Sequence, residues 1–395
     1  MTTHTPRDEQ DASTIISEAA SKGTLLSVSG QGTKAAMGRP NQTDASISST
    51  SLTGITLYEP TELVIAARSG TPVAEVVRTL AAKGQELPFE PMDYRPLLGT
   101  RGEPTIGAVA AMNLSGPRRI MAGAARDSLI GVRFINGRGE VVKSGGRVMK
   151  NVTGLDLVKL MAGSWGTLGF LTEVTFKVLP KAERRATLVI RGLDDAKAIA
   201  ALSQALGSPF DVTGAAHLPA RDRRGASTLI RIEGFSVSVD YRFGELRRLL
   251  KHFGGSTDII EGNGAEALWQ SVRDATVLND GSERAIWRVS TAPTKGPDFV
   301  GQVKQSLDAQ WFYDWGGGLI WIATPVEGDA GAAAIRGATQ AFGGHATLVR
   351  APVEIRSSLD IFEPQPDAVM ALTKGIKASF DPACILNPGR MYAGV

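Results

Sequence analysis

The chain has 395 residues, which is long enough for two or three domains with sizeable hydrophobic cores. Its composition of 43 % hydrophobic and 21 % charged residues is that of a globular protein and excludes disordered, collagen-like and coiled-coil chains. The 43 Lys and Arg residues against 40 Asp and Glu leave a net charge of +3, which is too small and too scattered to indicate nucleic-acid binding.

Residues 1–180 are predicted to form one α+β domain. Ala12, Ile15, Ile16 and Ala19 recur at helical spacing, and Gly23 ends this helix before a strand at 24–28. Two short strands are predicted at 55–58 and 63–67, followed by a helix at 71–84 that begins with a proline. A hairpin is predicted at 132–142, and a strand of alternating apolar residues at 174–178.

Residues 181–344 are predicted to form a second domain, in which strands alternate with amphipathic helices. The expected strands are 188–190, 228–233, 287–290 and 319–323, and the expected helices are 195–206 and 246–253. Residues 345–395 are predicted to return to the first domain, with a strand at 347–349 and a helix at 367–378.

The number and spacing of the cysteines and histidines limit the kinds of metal site that this chain can form. Cys384 is the single cysteine, so the chain contains no internal disulfide, and one thiolate cannot build an iron–sulfur cluster. The sequence around Cys384 predicts a buried, inert thiol. The four histidines, His4, His217, His252 and His345, show no metal-ligand spacing, so no metal site is predicted.

The sequence also bears on localisation. The N-terminal residues are polar, unlike a signal peptide, and no apolar run reaches the length of a membrane-spanning helix. We therefore expect a cytoplasmic protein. No basic amphipathic helix indicates direct lipid contact, so any attachment to the inner membrane would be made through partner subunits.

A glycine-rich loop, residues 29–34, follows the strand at 24–28. Gly30 and Gly32 leave backbone N–H groups that can converge on an anion, while Thr33 adds a hydroxyl and Lys34 a positive charge. The loop formally matches a Rossmann fingerprint, but Gly38 and Pro40 interrupt the helix that this fold requires. A phosphate-binding loop is one interpretation, and a plain glycine turn is the other.

Two more loops rich in glycine and small residues occur in the same domain, at 105–118 and 163–170. Each glycine carries an entropic cost on folding, so three such loops are hard to explain as ordinary turns. An extended, flat dinucleotide lying against bare backbone would explain all three together.

These motifs resemble the FAD-binding domain of the vanillyl-alcohol oxidase / p-cresol methylhydroxylase (PCMH) family. The matching segments are 28–34, 67–71, 105–116, Arg126-Asp127, 154–156, 163–169 and 386–389. The resemblance implies an α+β fold: a PCMH-type FAD-binding domain of two α+β subdomains and an α/β cap domain of antiparallel sheet and helices. The FAD-binding residues it implies are Ser29, Gly30, Gln31, Gly32, Thr33, Lys34, Thr105, Gly107, Ala108, Asn113, Ser115, Gly116, Arg126, Asp127, Gly163, Ser164, Gly166, Gly169, Val174 and Asn387.

Within this family the chain is similar to the FAD-binding (E) subunits of bacterial glycolate oxidases. Segments 116–127, 146–156, 286–290 and 343–352 carry this likeness. It implies a heteromeric complex with a D-type flavoprotein subunit and an iron–sulfur F subunit. Such a complex oxidises glycolate and related 2-hydroxy acids to 2-oxo acids.

The sequence departs from the family pattern in three ways. No His or Cys lies in the FAD loops, which implies noncovalent FAD, and Ala108 stands where the family has glycine. The chain also lacks the paired histidines with which related dehydrogenases bind a metal and polarise the substrate. This favours electron transfer over hydride abstraction by this chain. A flavin-free assembly subunit and a stand-alone FAD-dependent alcohol or 2-hydroxy-acid oxidase are the alternatives.

Two residues are weak catalytic candidates. Arg288 could bind a substrate carboxylate through paired hydrogen bonds, or it could be a surface or interface arginine. His345 could accept a proton near the flavin, although a structural role is the simpler interpretation because no titratable partner is near in sequence. Trp311, Trp315 and Trp321 fit an aromatic core or subunit contact better than a flavin-facing wall.

Overall fold

A computed structural model describes residues 2–146, 155–221 and 225–395. The chain divides into two compact units. The first comprises Met1–Ser115, Ala122–Lys181 and Pro364–Val395, and the second comprises Gly116–Met121 and Ala182–Glu363. Gly154 and residues 147–153, which belong to the family-like segments, lie outside the described residues.

The elements up to residue 180 alternate between short helices and strands. In chain order they are β1 (Thr2–His4), α1 (Glu9–Lys22), β2 (Leu26–Ser29), β3 (Ala45–Ser48), β4 (Ile55–Glu59), β5 (Val64–Arg68), α2 (Val73–Ala81), β6 (Gln85–Glu86), α3 (Arg95–Leu98), α4 (Ile106–Ala111), α5 (Arg119–Ala122), α6 (Ala125–Ser128), β7 (Leu129–Ile135), β8 (Val141–Gly145), α7 (Leu157–Met161), β9 (Phe170–Lys177) and β10 (Leu179–Pro180).

The remaining elements have longer strands and helices. They are β11 (Arg184–Arg191), α8 (Asp195–Leu206), β12 (Val212–Leu218), β13 (Ser227–Gly234), α9 (Ser236–Leu250), β14 (Ser256–Glu261), α10 (Gly262–Arg273), β15 (Ala285–Ser290), α11 (Gly296–Lys304), β16 (Gln310–Asp314), β17 (Leu319–Thr324), α12 (Ala332–Phe342), β18 (His345–Arg350), α13 (Val353–Ser358) and α14 (Asp367–Phe380).

Helix α1 shows how local signals determine an element. Its N-cap, Asp8, accepts a hydrogen bond from the backbone N–H of Asp11 at 2.8 Å, so the helix begins at Glu9, earlier than its apolar pattern indicates. It ends at Gly23, whose φ of 67° is the left-handed conformation that favours glycine. The helix buries Ala12, Ile16 and Ala19 on one face.

Within its described residues, the first unit contains three sheets. Strands β1, β3 and β2 form a parallel sheet, β4-β5-β9-β7-β8 form an antiparallel sheet, and β10 pairs with β6. The C-terminal tail joins the parallel sheet, because Leu386 forms a parallel bridge with Leu26 in β2. Residues 30–44, all of which the structure describes, contain no helix, so rejection of the Rossmann interpretation was correct.

The second unit is built on one eight-stranded antiparallel sheet with the order β14-β11-β13-β12-β16-β17-β15-β18. Trp287, Tyr313 and Phe299 are fully buried in its core. The predicted α+β fold, with an antiparallel sheet and helices in the second half of the chain, is therefore confirmed. Strand β18 belongs to this unit, although residues 345–395 were predicted to return to the first domain. The functional roles assigned to the predicted domains stay predictions.

One prediction for a single residue was wrong. Cys384 is exposed, not buried, because it lies in a left-handed turn (φ 50°) that follows α14 and is closed by a hydrogen bond from its N–H to the carbonyl of Asp381. The apolar residues after it are buried instead. Within the described ranges no helix is both long and apolar enough to cross a membrane.

Candidate functional site

A cleft opens in the first unit. It is lined by segments from all three glycine loops and by the C-terminal tail. The predicted FAD-binding residues that line it are Ser29, Gly30, Gln31, Gly32, Thr33, Lys34, Thr105, Gly107, Ala108, Gly166, Gly169 and Asn387.

The first loop packs closely against the second at Gly30. A Cβ at this position would lie 2.4 Å from Thr105 Oγ1, so only glycine fits unless Thr105 moves. The carbonyl of Gly30 accepts a hydrogen bond from Ser48 Oγ at 2.9 Å. At Gly32 the backbone is left-handed, with a φ of 71°, and no atom lies within 4 Å of where a Cβ would be. The loop therefore presents bare backbone to the cleft.

Lys34 places a cation in the wall of the cleft. It is only 7 % exposed, and Nζ lies 3.4 Å from Thr33 Oγ1. Burial lowers the pKa of Lys34 to about 8, and the charge of Asp93 opposes part of that shift. An anion bound in the cleft would stabilise the protonated lysine, so the site is electrostatically suited to a phosphate or pyrophosphate.

Two hydroxyl groups that line the cleft are buried. Within the described residues, neither Ser69 Oγ nor Thr105 Oγ1 has a hydrogen-bond partner, and both residues are 1 % exposed. Buried polar groups are nearly always hydrogen-bonded, so these two indicate a polar ligand. A Cβ at Gly107 would lie 2.5 Å from Ser69 Cβ, which shows how closely the backbone of the second loop approaches Ser69. These residues fit the polar surface of a dinucleotide.

Asn387 joins the tail to the other walls. Its Nδ2 donates to the carbonyl of Trp165 at 2.8 Å, and its Oδ1 accepts from the N–H of Val28 at 2.8 Å. Asn387 and Trp165 both have left-handed backbones, with φ of 44° and 55°. Such strain persists where surrounding contacts enforce it, often at binding sites.

A buried ion pair supports this tail. Lys377 of α14 donates from Nζ to the carboxylate of Asp381, the carbonyl of Leu386 and the carbonyl of Thr167, at 2.8, 2.7 and 2.8 Å. Asp381 in turn accepts from the N–H groups of Ile385 and Leu386. The pair thus ties the tail to the third glycine loop directly beside Asn387.

Eight predicted FAD-binding residues do not line this cleft, and their role stays a prediction. Asn113 Oδ1 accepts from the N–H of Arg126 at 2.9 Å, and Asp127 Oδ2 accepts from the N–H of Ala124 at 2.8 Å, so these side chains stabilise local turns. Gly116 belongs to the second unit. The remaining residues of this set are Ser115, Gly163, Ser164 and Val174.

Eleven lining residues were not among the predicted FAD-binding residues: Ser27, Val28, Ala35, Ser49, Ser69, Ala111, Met112, Trp165, Phe170, Leu171 and Arg390. Ser69 and Trp165 lie inside segments that carry the family likeness, so the sequence around them already indicated an FAD-binding site. Phe170 and Leu171 are typical strand residues, and only the sheet packing turns them toward the cleft.

The two weak catalytic candidates lie in the second unit. The Arg288 guanidinium carbon is 5.0 Å from the ring centroid of Trp315. His345 begins β18; desolvation of its ring, followed by the positive charge of Arg288, lowers its pKa, and Glu363 opposes this. Across residues 2–146, 155–221 and 225–395, no group of three or more His, Cys, Asp or Glu side chains could hold a metal ion.

Residues 3–145 match the family model described as FAD binding domain. The fold is also that of 4-ethylphenol oxidase from Gulosibacter chungangensis, with a TM-score of 0.72 and 13 % sequence identity over 99 % of this chain and 89 % of that one. The domain and the fold define a flavoprotein chain with the PCMH-type architecture that the resemblance implied.

Similarity to known sequences assigns the chain to a family within this class. Over 379 residues the chain is 34 % identical to glycolate oxidase subunit GlcE of Escherichia coli (strain K12), covering 96 % of this chain and 95 % of that protein. The chain therefore belongs to the glycolate oxidase subunit GlcE family. It is also 32 % identical over 127 residues to glycolate oxidase subunit GlcD of Bacillus subtilis (strain 168), covering 32 % of this chain and 26 % of that protein.

Proposed function

We propose that this chain is the FAD-binding subunit of a glycolate oxidase complex that oxidises glycolate and related 2-hydroxy acids to 2-oxo acids. The observation that carries the proposal is the cleft itself, with its bare glycine backbone, one buried cation and two buried hydroxyls that lack partners within the described residues. The first unit would be the FAD-binding domain, and the second would be the cap or subunit-contact domain.

Different lining residues would bind different parts of the cofactor. The backbone of 29–34 and the charge of Lys34 would bind the pyrophosphate, and Ser69 and Thr105 would hydrogen-bond to the polar groups of the ligand. Asn387 would hold the tail against the third loop. Bound FAD would supply two-electron redox chemistry. Of the lining residues that the structure describes, none is His or Cys, which supports noncovalent binding.

The proposed partners are a D-type flavoprotein subunit and an iron–sulfur F subunit. Two observations support a complex: the relative of similar length is named as a glycolate oxidase subunit, and so is the GlcD relative, which matches over 127 residues. The single cysteine supports placing any iron–sulfur cluster on a partner. We further propose a cytoplasmic location, with any membrane attachment made through these partners.

The first experiment is the absorption spectrum of the purified chain before and after acid precipitation. The proposal predicts flavin absorbance that moves to the supernatant, and a colourless chain that added FAD cannot reconstitute would overturn it. Anaerobic mixing with glycolate, alone and with the partner subunits, then separates the two roles. Bleaching of the flavin by glycolate without partners would show hydride abstraction by this chain, and bleaching only in the complex would show electron transfer.

A further inference from the structure

Helix α9 of the second unit presents large apolar side chains to solvent. Its buried side is formed by Val239, Arg242, Phe243, Leu246 and Leu250. On its other side, Val237 and Tyr241 are 85 % and 65 % exposed, and Phe235, which precedes the helix, is 77 % exposed. Apolar residues that are exposed next to one another mark interaction surfaces on globular proteins, whereas single exposed ones are common. The N-terminal half of α9 therefore has the character of a contact surface.

The same exposed stripe of α9 contains a glycine at its middle. Val237, Tyr241 and Gly244 follow one another at intervals of four and three residues, so they lie on one side of the helix, and Arg248 lies one turn further along it. These four residues are called the outward face of α9. Gly244 is exposed, and no atom lies within 4 Å of where its Cβ would be. Glycine destabilises a helix interior relative to alanine, but it allows another backbone to approach closely. A second helix can therefore pack across α9 at Gly244.

The N-terminal end of this helix is acidic. The Arg184 guanidinium forms ion pairs with two carboxylates, those of Asp240 and Glu261. One positive charge thus faces two negative charges, and the Asp240 side chain is 70 % exposed. Glu183 adds a further carboxylate, which accepts a hydrogen bond from Ser236 Oγ at 2.6 Å. This end of α9 therefore carries a net negative charge that is accessible to a partner.

The C-terminal end of the same helix is basic. Arg247, Arg248 and Lys251 are all exposed there. Glu245 compensates only one of these charges, since it forms an ion pair with Arg248 at 2.6 Å. The exposed side of α9 therefore changes from negative to positive along its length. Two such helices are complementary when they run antiparallel, because each negative end then meets a positive end.

We propose that the outward face of α9 is the interface between two copies of this chain, whose α9 helices pack antiparallel across a two-fold axis close to Gly244. A two-fold interface joins the same patch of both copies, so the patch must be complementary to itself, as the opposite charges of the two helix ends are. The interface covers Val237 and Tyr241 of both copies. It does not depend on FAD, and it places two copies of this chain in one complex.

Asp240 and Arg247 form the charge contact of this interface. They are seven residues apart, which is about two helical turns, so they lie on the same flank of α9. Asp240 is four residues before Gly244 and Arg247 is three residues after it. A two-fold axis close to Gly244 therefore brings Asp240 of each copy opposite Arg247 of the other copy, and the contact occurs twice.

The experiment measures the mass of the purified full chain by sedimentation equilibrium over a range of concentrations. We expect a monomer–dimer equilibrium for the wild type. D240R and R247D each place like charges opposite one another at both contacts, so each should weaken the dimer by ~10- to 100-fold. K374D is the matched control, because Lys374 is an exposed basic residue on a helix of the first unit. A wild type that stays monomeric at every concentration would overturn the proposal.

Two rescue experiments separate a direct contact from a folding defect. The double variant D240R/R247D exchanges the two charges, so it should dimerise again. A mixture of D240R and R247D should form a mixed dimer, because both of its contacts again join opposite charges, although each variant by itself associates weakly. If the wild type dimerises but neither the double variant nor the mixture does, the assignment of the interface to the outward face of α9 is wrong.

A different protein on this surface would give a different result. A chain that is monomeric by itself, and that loses its co-purification with the D-type and iron–sulfur subunits in V237D, would assign the outward face of α9 to one of those subunits and overturn the pairing of two copies. The mass measurement is also independent of flavin content. A colourless dimer would refute the FAD proposal alone, and a yellow monomer would refute this one alone.

Discussion

Replacing Lys377 with methionine is expected to lower the melting temperature of the chain by about 6–20 °C. Lys377 is 2 % exposed, and its ammonium group donates three hydrogen bonds, to Asp381, Leu386 and Thr167. Methionine fills a similar volume but donates nothing, so the substitution removes the charge and its bonds with little change in packing.

The magnitude follows from what the substitution leaves behind. Removing one partner of a buried ion pair costs about 3–5 kcal/mol, because the other charge remains buried. Asp381 keeps two backbone donors, the N–H groups of Ile385 at 3.1 Å and Leu386 at 2.8 Å, which limits the loss. In a unit of this size each kcal/mol corresponds to about 2–4 °C of melting temperature. The tail should also loosen, so FAD affinity should fall together with stability.

Thermal melts by far-UV circular dichroism and FAD titrations by fluorescence quenching measure the two effects. Lys374 lies on the same helix and is exposed, so K374M is the matched control and should melt like the wild type. If K377M and K374M melted at the same temperature, the argument that this ion pair holds the tail in place would be refuted.

Three other outcomes are expected. FAD affinity should fall as the pH rises from 7 to 9, because only protonated Lys34, whose pKa is about 8 without ligand, attracts the pyrophosphate; fluorescence titrations measure this. Gly30→Ala should weaken FAD binding in the same assay, since its Cβ would lie 2.4 Å from Thr105 Oγ1. Asp195→Ala should lower the free energy of unfolding by about 1–3 kcal/mol in urea, because Tyr313 Oη loses its acceptor at 2.8 Å.

Controls separate these effects from general damage. K34M should bind FAD with little dependence on pH, and an unchanged slope in that variant would assign the titration to another group. Gly244 lies on an exposed helix position with no atom within 4 Å of a new Cβ, so G244A should bind FAD normally. Equal urea midpoints for D195A and the wild type would show that the buried Tyr313 hydroxyl finds another partner.

Several elements and one motif followed from the sequence alone. Helix α8 spans Asp195–Leu206 as predicted, because Asp194 caps it through a bond from the N–H of Lys197 and its apolar residues recur at helical spacing. The loop at 29–34 was predicted as a phosphate-binding loop because glycines after a strand leave backbone N–H groups that can converge on an anion. Each of these signals involves only a few neighbouring residues, so it can be identified from the amino-acid sequence alone.

Tertiary structure decided which of these residues meet. Asn387 reaches Val28 across 359 positions of sequence, and Ser69 faces the same cleft as Thr105 only because the loops pack together. Arg119 and Arg288 converge on Trp315, and neither arginine has a local signal that indicates the other. Such meetings depend on sheet register and long-range packing, which the spacing of residues along the chain does not specify. For the same reason the sequence predicted the loops of the site, whereas the cleft-facing hydroxyls became visible only in the folded chain.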